Sequence, residues 1–191
     1  MAQDRRGIRA GSGQIALAFT VGHGTLPAEE FTALLQAARI AGIADVRTAP
    51  GSRRYPHFGA SSMQRWLPEA GIAYAHHKAL GGWRKPALDS PNVALRNAAF
   101  RGYADYMLTE PFARGVDALL PELEARPTAI MCSESVWWRC HRRLLADYLV
   151  LVRGWEIRDL MHDGRAEPHV VTPDAHTDGR NVYYVPFWPP A

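Results

Sequence analysis

"PAEEFTALLQAARIAGIADVRTAP", residues 27–50, is the stretch that decides the fold. Pro27 opens it, Glu29 and Glu30 fall in the first turn of a prospective helix, and Gly42 closes that helix. "IADVRTAP" (43–50) then reads as a strand. Ahead of the helix lies "QIALAFTVG" (14–22), an apolar run ended by glycine, which reads as a buried strand. Strand, helix, strand in this order is the unit of a parallel sheet, because parallel neighbours need a crossover rather than a tight turn.

The pattern repeats outward from there. "SSMQRWLPEAG" (61–71) is a short helix and "IAYAHH" (72–77) a third strand. A loop with Gly81, Gly82 and Pro86 leads to a helical region over 92–126, broken near Pro111. "TAIMCS" (128–133) is a fourth strand, "VWWRCHRRLLADYLVLVRG" (136–154) a helix and "WEIRDLMH" (155–162) a fifth strand. The alternation implies one α/β domain over residues 14–165. Its mostly parallel sheet has about five strands with helices on both faces, a Rossmann-like arrangement. Residues 1–13, rich in Gly, Arg and Ser, read as a flexible arm. Residues 166–191 form an aromatic and proline-rich tail that either covers an edge or packs across a partner.

The chain has 191 residues, 47% hydrophobic and 21% charged, which fits one folded domain and excludes global disorder. A net charge of +3 permits a nucleotide or nucleic-acid partner without demanding one. The longest apolar run, "IALAFTV", is far short of the roughly 20 residues that span a bilayer. No secretory signal follows "MAQDRRGIRAGSGQ", so a cytoplasmic location with two reduced thiols is expected, with no membrane partner. Neither cofactor nor oligomeric state can be read from these features.

In an open parallel sheet, ligands bind beyond the carboxyl ends of the strands. Those ends carry Gly22, His23, Gly24 and Thr25; Asp45 and Arg47, then Ser52, Arg53 and Arg54; His76, His77 and Lys78; Cys132 and Glu134; and His162. Each group has a plain reading. The glycines make a turn, Asp45 and Arg47 form a buried pair, and "GSRRYPHFG" is a solvated loop. Their shared edge favours a site. Arg47 and Arg53 offer guanidinium forks to phosphate, helped by Gly22, Thr25 and a helix N-terminus after Gly22. Glu134 or His23 would be general acid or base, and Cys132 a nucleophile or a polar wall.

"MCSESVWWRCHRRLL" (131–145) holds both cysteines. With Ser133 or Ser135 as N-cap, Cys132 would face the positive end of a helix, which favours its thiolate. At 100° per residue Trp137, Cys140, His141, Leu144, Leu145, Tyr148 and Leu151 share one stripe, with Arg139, Arg142 and Arg143 opposite. Cys140 is then a packed core thiol. His141 is either a hydrogen-bonded core histidine or a catalytic group bordering the pocket. Six residues separate Cys132 from Arg139, with no glycine between, so the Cys-x5-Arg loop of cysteine phosphatases and rhodanese-like sulfurtransferases is absent. Cys132 and Cys140 have neither a usual zinc-ligand spacing nor that of a Cys-x-x-Cys redox pair, so no metal is expected.

The chain resembles the family called domain of unknown function 488. The resemblance rests on "FTVGHGT", "FTALLQAARIAGIADVRTAPGSRRYPHF", "GIAYAHHKALGGWRKP", "GYADYM" with "FARGVDALL", and "MCSESVWWRCHRRLLADYL", in that order over residues 18–162. It implies a compact α/β fold and a common site of His23, Asp45, Arg47, Ser52, Arg53, Cys132, Glu134, Cys140, His141 and Arg142. Gly24 departs from the serine more usual in the family, so Thr25 would have to supply that hydroxyl. The resemblance implies no reaction. An enzyme acting on an anionic substrate, a nucleotide or nucleic-acid component, is the leading expectation. The alternative is a non-catalytic nucleic-acid binder using Arg5, Arg6, Arg9, the "SRRYPHF" loop and exposed tryptophans. A partner-binding scaffold built on "VYYVPFWPP" is the third reading.

Overall fold

β1 (Leu17–Gly22) is buried from Ala18 onward, and its side chains alternate between two cores, Phe19 and Val21 on one face and Ala18 on the other. That is the signature of a strand covered on both sides. The computed structural model describes residues 16–51 and 53–188. The expected arm at 1–13, Ser52 and the last three residues of the tail lie outside the described residues.

α1 (Ala28–Ala37) packs through Phe31, Leu34 and Leu35. It ends before Gly42, because Arg39 adopts φ 56° and the chain closes with Arg39 N–H on the Gln36 carbonyl and Ile40 N–H on the Leu35 carbonyl. This is a Schellman closure made by a non-glycine residue. Gly42 instead begins β2 (Gly42–Asp45). After it come α2 (Ala60–Glu69) and β3 (Ala73–His76). The long helical region is two helices, α3 (Ala98–Met107), capped by the Asn97 side chain, and α4 (Glu110–Ala125), with Pro111 in its first turn. β4 (Thr128–Cys132), α5 (Arg142–Leu151) and β5 (Glu156–Leu160) complete the alternation.

Three short strands follow: β6 (Ala166–Pro168), β7 (Ala175–Thr177) and β8 (Val182–Tyr184). The main sheet has the order β3-β2-β4-β1-β5-β6, with parallel pairing throughout except for β6, which runs antiparallel along β5. The fold is therefore α/β and Rossmann-like, with five parallel strands as expected and a sixth that covers one edge. α1 and α2 lie on one face, α3, α4 and α5 on the other. The β7–β8 hairpin contributes Val182 and Tyr184 to that second core.

Candidate active site

Because β4 runs between β2 and β1, three strand ends meet at one place. Gly22 lies in register with Cys132, and Asp45 with Met131. The pairing continues past the strands, with His23 N–H on the Cys132 carbonyl, Gly24 N–H on the Ser133 carbonyl and Val46 N–H on the Met131 carbonyl. α1 begins only at Ala28, behind Pro27, so no helix N-terminus stands directly after Gly22. Gly22 has a packing reason instead. A Cβ there would overlap the Glu134 carbonyl and the Ser135 Cα, so glycine lets the Glu134 loop close over β1.

Asp45 and Arg47 form a buried pair. The Arg47 Nε–H donates to Asp45 Oδ1 at 2.8 Å, and Nη2 to Asp45 Oδ2 at 2.5 Å and to the Phe58 carbonyl at 2.8 Å. Nη1 donates to His23 Nε2 at 3.1 Å, and the Tyr74 hydroxyl donates to Asp45 at 2.8 Å. The Arg47 fork, expected to hold phosphate, is thus largely occupied by Asp45; only an Nη1 hydrogen stays uncommitted among the described residues. His23 is equally engaged. Its Nδ1 lies 2.9 Å from the Gly24 carbonyl and so carries the proton, leaving Nε2 to accept from Arg47. Burial, reinforced by the Arg47 charge, pulls its pKa down to about 4. Both ring nitrogens are thus engaged, which makes Glu134 the less committed of the two candidate acid–base groups.

The segment after β4 departs from its sequence reading. Residues 133–136 are irregular, Trp137–Arg139 form a single 3-10 turn, and α5 starts at Arg142. Arg142, expected on the outer face of a longer helix, is 1% exposed. It turns back to donate to the carbonyls of Glu134 at 2.5 Å and Ser135 at 3.1 Å. Those bonds satisfy a loop that a helix N-capped by Ser133 or Ser135 would have absorbed, and Cys132 lies instead against His141, the residue that precedes α5.

The change of course also moves Cys140. Rather than packing away from the site, its Sγ lies 3.6 Å from His141 Nδ1, while Cys132 Sγ lies 3.8 Å from the same nitrogen. The two sulfurs and that nitrogen lie within 4.8 Å of one another. His141 Nε2 donates to the Val46 carbonyl at 3.1 Å, so Nδ1 is the nitrogen turned toward both sulfurs. Gly82 permits this placement, since a Cβ there would stand 2.5 Å from the His141 ring. The Cys132 thiol is held well below its ordinary pKa by the Cys140 thiol, His141 and the Arg142 charge. Burial and the neighbouring sulfur push Cys140 well above its own.

A cavity of about 660 Å³ opens over this cluster. Cys132, Glu134, Cys140, His141, His23, Thr25 and Arg47 line it, together with Thr48, Tyr55, Trp83, Phe100, Ser133, Ser135 and Arg139. Gly22, Asp45 and Arg142 are buried behind that lining. Arg53 and Arg54 are exposed on the adjoining loop and are not part of the lining. Phe100 escaped sequence reasoning, while Tyr55 and Trp83 entered it only through the "SRRYPHF" loop and the exposed tryptophans of the nucleic-acid reading; Trp83, directly after Gly81 and Gly82, is 75% exposed. A second cavity of about 590 Å³, beside Glu110, Asp117, Arg153 and Asn181, has no cysteine or histidine in its lining.

Fold and site define an α/β protein with a sulfur-, imidazole- and carboxylate-lined cavity at the carboxyl edge of a parallel sheet. The family model described as domain of unknown function DUF488 matches residues 27–149, more than half of the chain, and the protein belongs to that family. No curated protein and no solved structure matches it. Among the described residues, no helix is long and apolar enough to cross a membrane.

Proposed function

We propose that this protein is an enzyme acting on an anionic substrate of the nucleotide or nucleic-acid-component class, bound in the cavity over Cys132 and His141. The observation that carries the reading is convergence. Two thiols, an imidazole and a carboxylate from the single segment 132–141, joined by His23 from the end of β1 and Arg47 from the end of β2, line a single cavity of about 660 Å³, and small-molecule sites typically occupy roughly 300–1,000 Å³. Trp83, Phe100 and Tyr55 offer ring faces for a planar base, and Arg139 at the lining supplies positive charge. Glu134 is the acid or base, because both nitrogens of His23 are committed.

The test is a turnover and thermal-shift panel of nucleotides, dinucleotides and phosphate esters, run on the wild type and on Glu134→Gln. Turnover of at least one member that falls about 100-fold or more in the variant, at unchanged fold, supports the role. An active preparation that tolerates the substitution overturns it.

A second reading, non-catalytic nucleic-acid binding, draws on exposed Trp83 and Trp138 near Arg139. It requires binding that weakens steeply with salt and is indifferent to Cys132→Ser.

A further inference from the structure

We infer that Cys132, Cys140 and His141 are the three protein ligands of a thiophilic divalent metal ion, zinc in class, whose fourth position opens into the cavity. The chemistry of the donors is the first argument. Two sulfurs and one imidazole nitrogen form a soft set that suits zinc and disfavours magnesium or calcium.

The second argument is distance. With bonds of about 2.3 Å to sulfur and 2.0–2.1 Å to nitrogen, a tetrahedral ion separates its sulfur and nitrogen ligands by about 3.6 Å. The two observed separations are 3.6 and 3.8 Å. Two sides of the triangle already have ligand length, and the sulfur–sulfur side lies within 4.8 Å.

Orientation is the third. A metal-bound histidine usually donates its other ring N–H to a carbonyl or carboxylate, which fixes the tautomer and aims the lone pair. His141 does this through Nε2 on the Val46 carbonyl, and Gly82 leaves room for the ring. The spacing rule that argued against a metal assumed ligands presented by a short knuckle. Here the segment from Ser133 to Arg139 is instead a loop anchored by Arg142, and the loop brings Cys140 back to Cys132.

Three protein ligands with one position facing a cavity is the arrangement of catalytic rather than structural zinc. The ion would offer a Lewis acid to an anionic group or lower the pKa of a bound water beside Glu134. This inference rests on the proposed function for the purpose of the ion, but not for its binding.

The full chain, stripped with chelator and kept reduced, is titrated with Zn²⁺ alone against a chromophoric competitor, and separately with Co²⁺. The expected result is one ion per chain and a thiolate-to-cobalt charge-transfer absorption. Cys132→Ser and Cys140→Ser each weaken Zn²⁺ binding at least tenfold, the lower end of what even an outer-shell loss costs, and remove the cobalt band. Substoichiometric Zn²⁺ uptake by the wild type, or a cobalt spectrum without thiolate character, overturns the inference; neither readout depends on a variant folding. Glu134-dependent turnover by metal-free protein would sink the metal and spare the enzyme. Stoichiometric zinc without turnover on any substrate of the panel would do the reverse.

Discussion

β1 carries a polar cluster at each of two neighbouring positions, and they differ in one respect that separates scaffold from site. From Thr20 the hydroxyl donates to Asp159 at 2.5 Å. His169 bridges Asp159 at 2.8 Å and Asp147 at 3.0 Å, and Asp147 also accepts the Tyr184 hydroxyl at 2.9 Å and the Thr172 N–H at 3.0 Å. Two residues further along, Gly22 leads into the cavity. Both clusters bury ionisable groups. In the first, every one of these partners is another member, and the cluster fastens β5, α5 and the C-terminal hairpin together. In the second, two sulfurs meet one ring nitrogen at 3.8 and 3.6 Å beneath open space. Burial of charge therefore says little about function; soft ligand atoms grouped beside a cavity say more.

The widest gap between the two should be seen on removing His169, whose side chain is inaccessible. His169→Ala leaves Asp147 and Asp159 buried without the cation between them, a loss of about 3–5 kcal/mol by analogy with other broken buried pairs. At roughly 2–4 °C per kcal/mol for a domain of this size, thermal unfolding should register it clearly. Zn²⁺ stoichiometry measured below that transition should be unchanged. A variant that melts like the wild type would mean that the cluster does not hold the tail to the sheet.

The same cluster should respond to alkali. Burial alone would lower the His169 pKa, but its hydrogen bonds to Asp147 and Asp159 and their charges outweigh it and raise the pKa from 6.5 to about 9. A group bound more tightly to its proton in the folded state stabilises fully below its unfolded pKa and loses that contribution as pH rises through the folded one. Melting temperature should thus fall between pH 6.5 and pH 9, by an amount that His169→Gln removes. Equal slopes for wild type and variant would show that His169 is not the titrating group.

A smaller effect should come from the turn between the two clusters. Gly22→Ala places a methyl group against Glu134 and Ser135 backbone, which cannot rotate away as a side chain would. The expected cost is about 1–3 kcal/mol, accompanied by displacement of the Glu134 loop and loss of turnover. Gly22→Ala with unaltered melting and activity would mean that the loop moves freely over β1.

How these clusters came to differ in visibility is a matter of range. Helix signals and apolar runs are local, so β1, α1, β2 and the rest of the alternation could be read directly, with ends displaced where Arg39 rather than Gly42 closes α1. The strand ends located the cavity because topology alone sends them to one edge. The course of residues 133–141 could not be read. Ser133 and Ser135 look like helix caps, and nothing local announces that Arg142 will fold back onto their loop. That one misreading assigned Cys140 to a core stripe, and only the family resemblance kept it with the site residues. The saturated cluster was less legible still: Thr20 and Asp159 stand 139 residues apart and form no motif.

Glu134→Gln should have the least effect on stability and one of the largest on chemistry, which makes it the sharpest probe of the contrast. The side chain is half-buried, and one carboxylate oxygen accepts the Val136 N–H at 3.3 Å. The amide oxygen of glutamine can accept the same bond, so the fold should lose no more than about 0.5 kcal/mol, as for a substitution that breaks no buried network. What glutamine cannot do is take up or give a proton at the substrate, and a positioned acid or base is worth roughly 100- to 10,000-fold in rate. Metal binding should persist, because the carboxylate is not among the three atoms that form the triangle. A variant equal to wild type in melting temperature and zinc stoichiometry but silent in turnover would separate the group that reacts from the groups that hold. A variant that unfolds would instead place Glu134 with His169, as part of what keeps the molecule together.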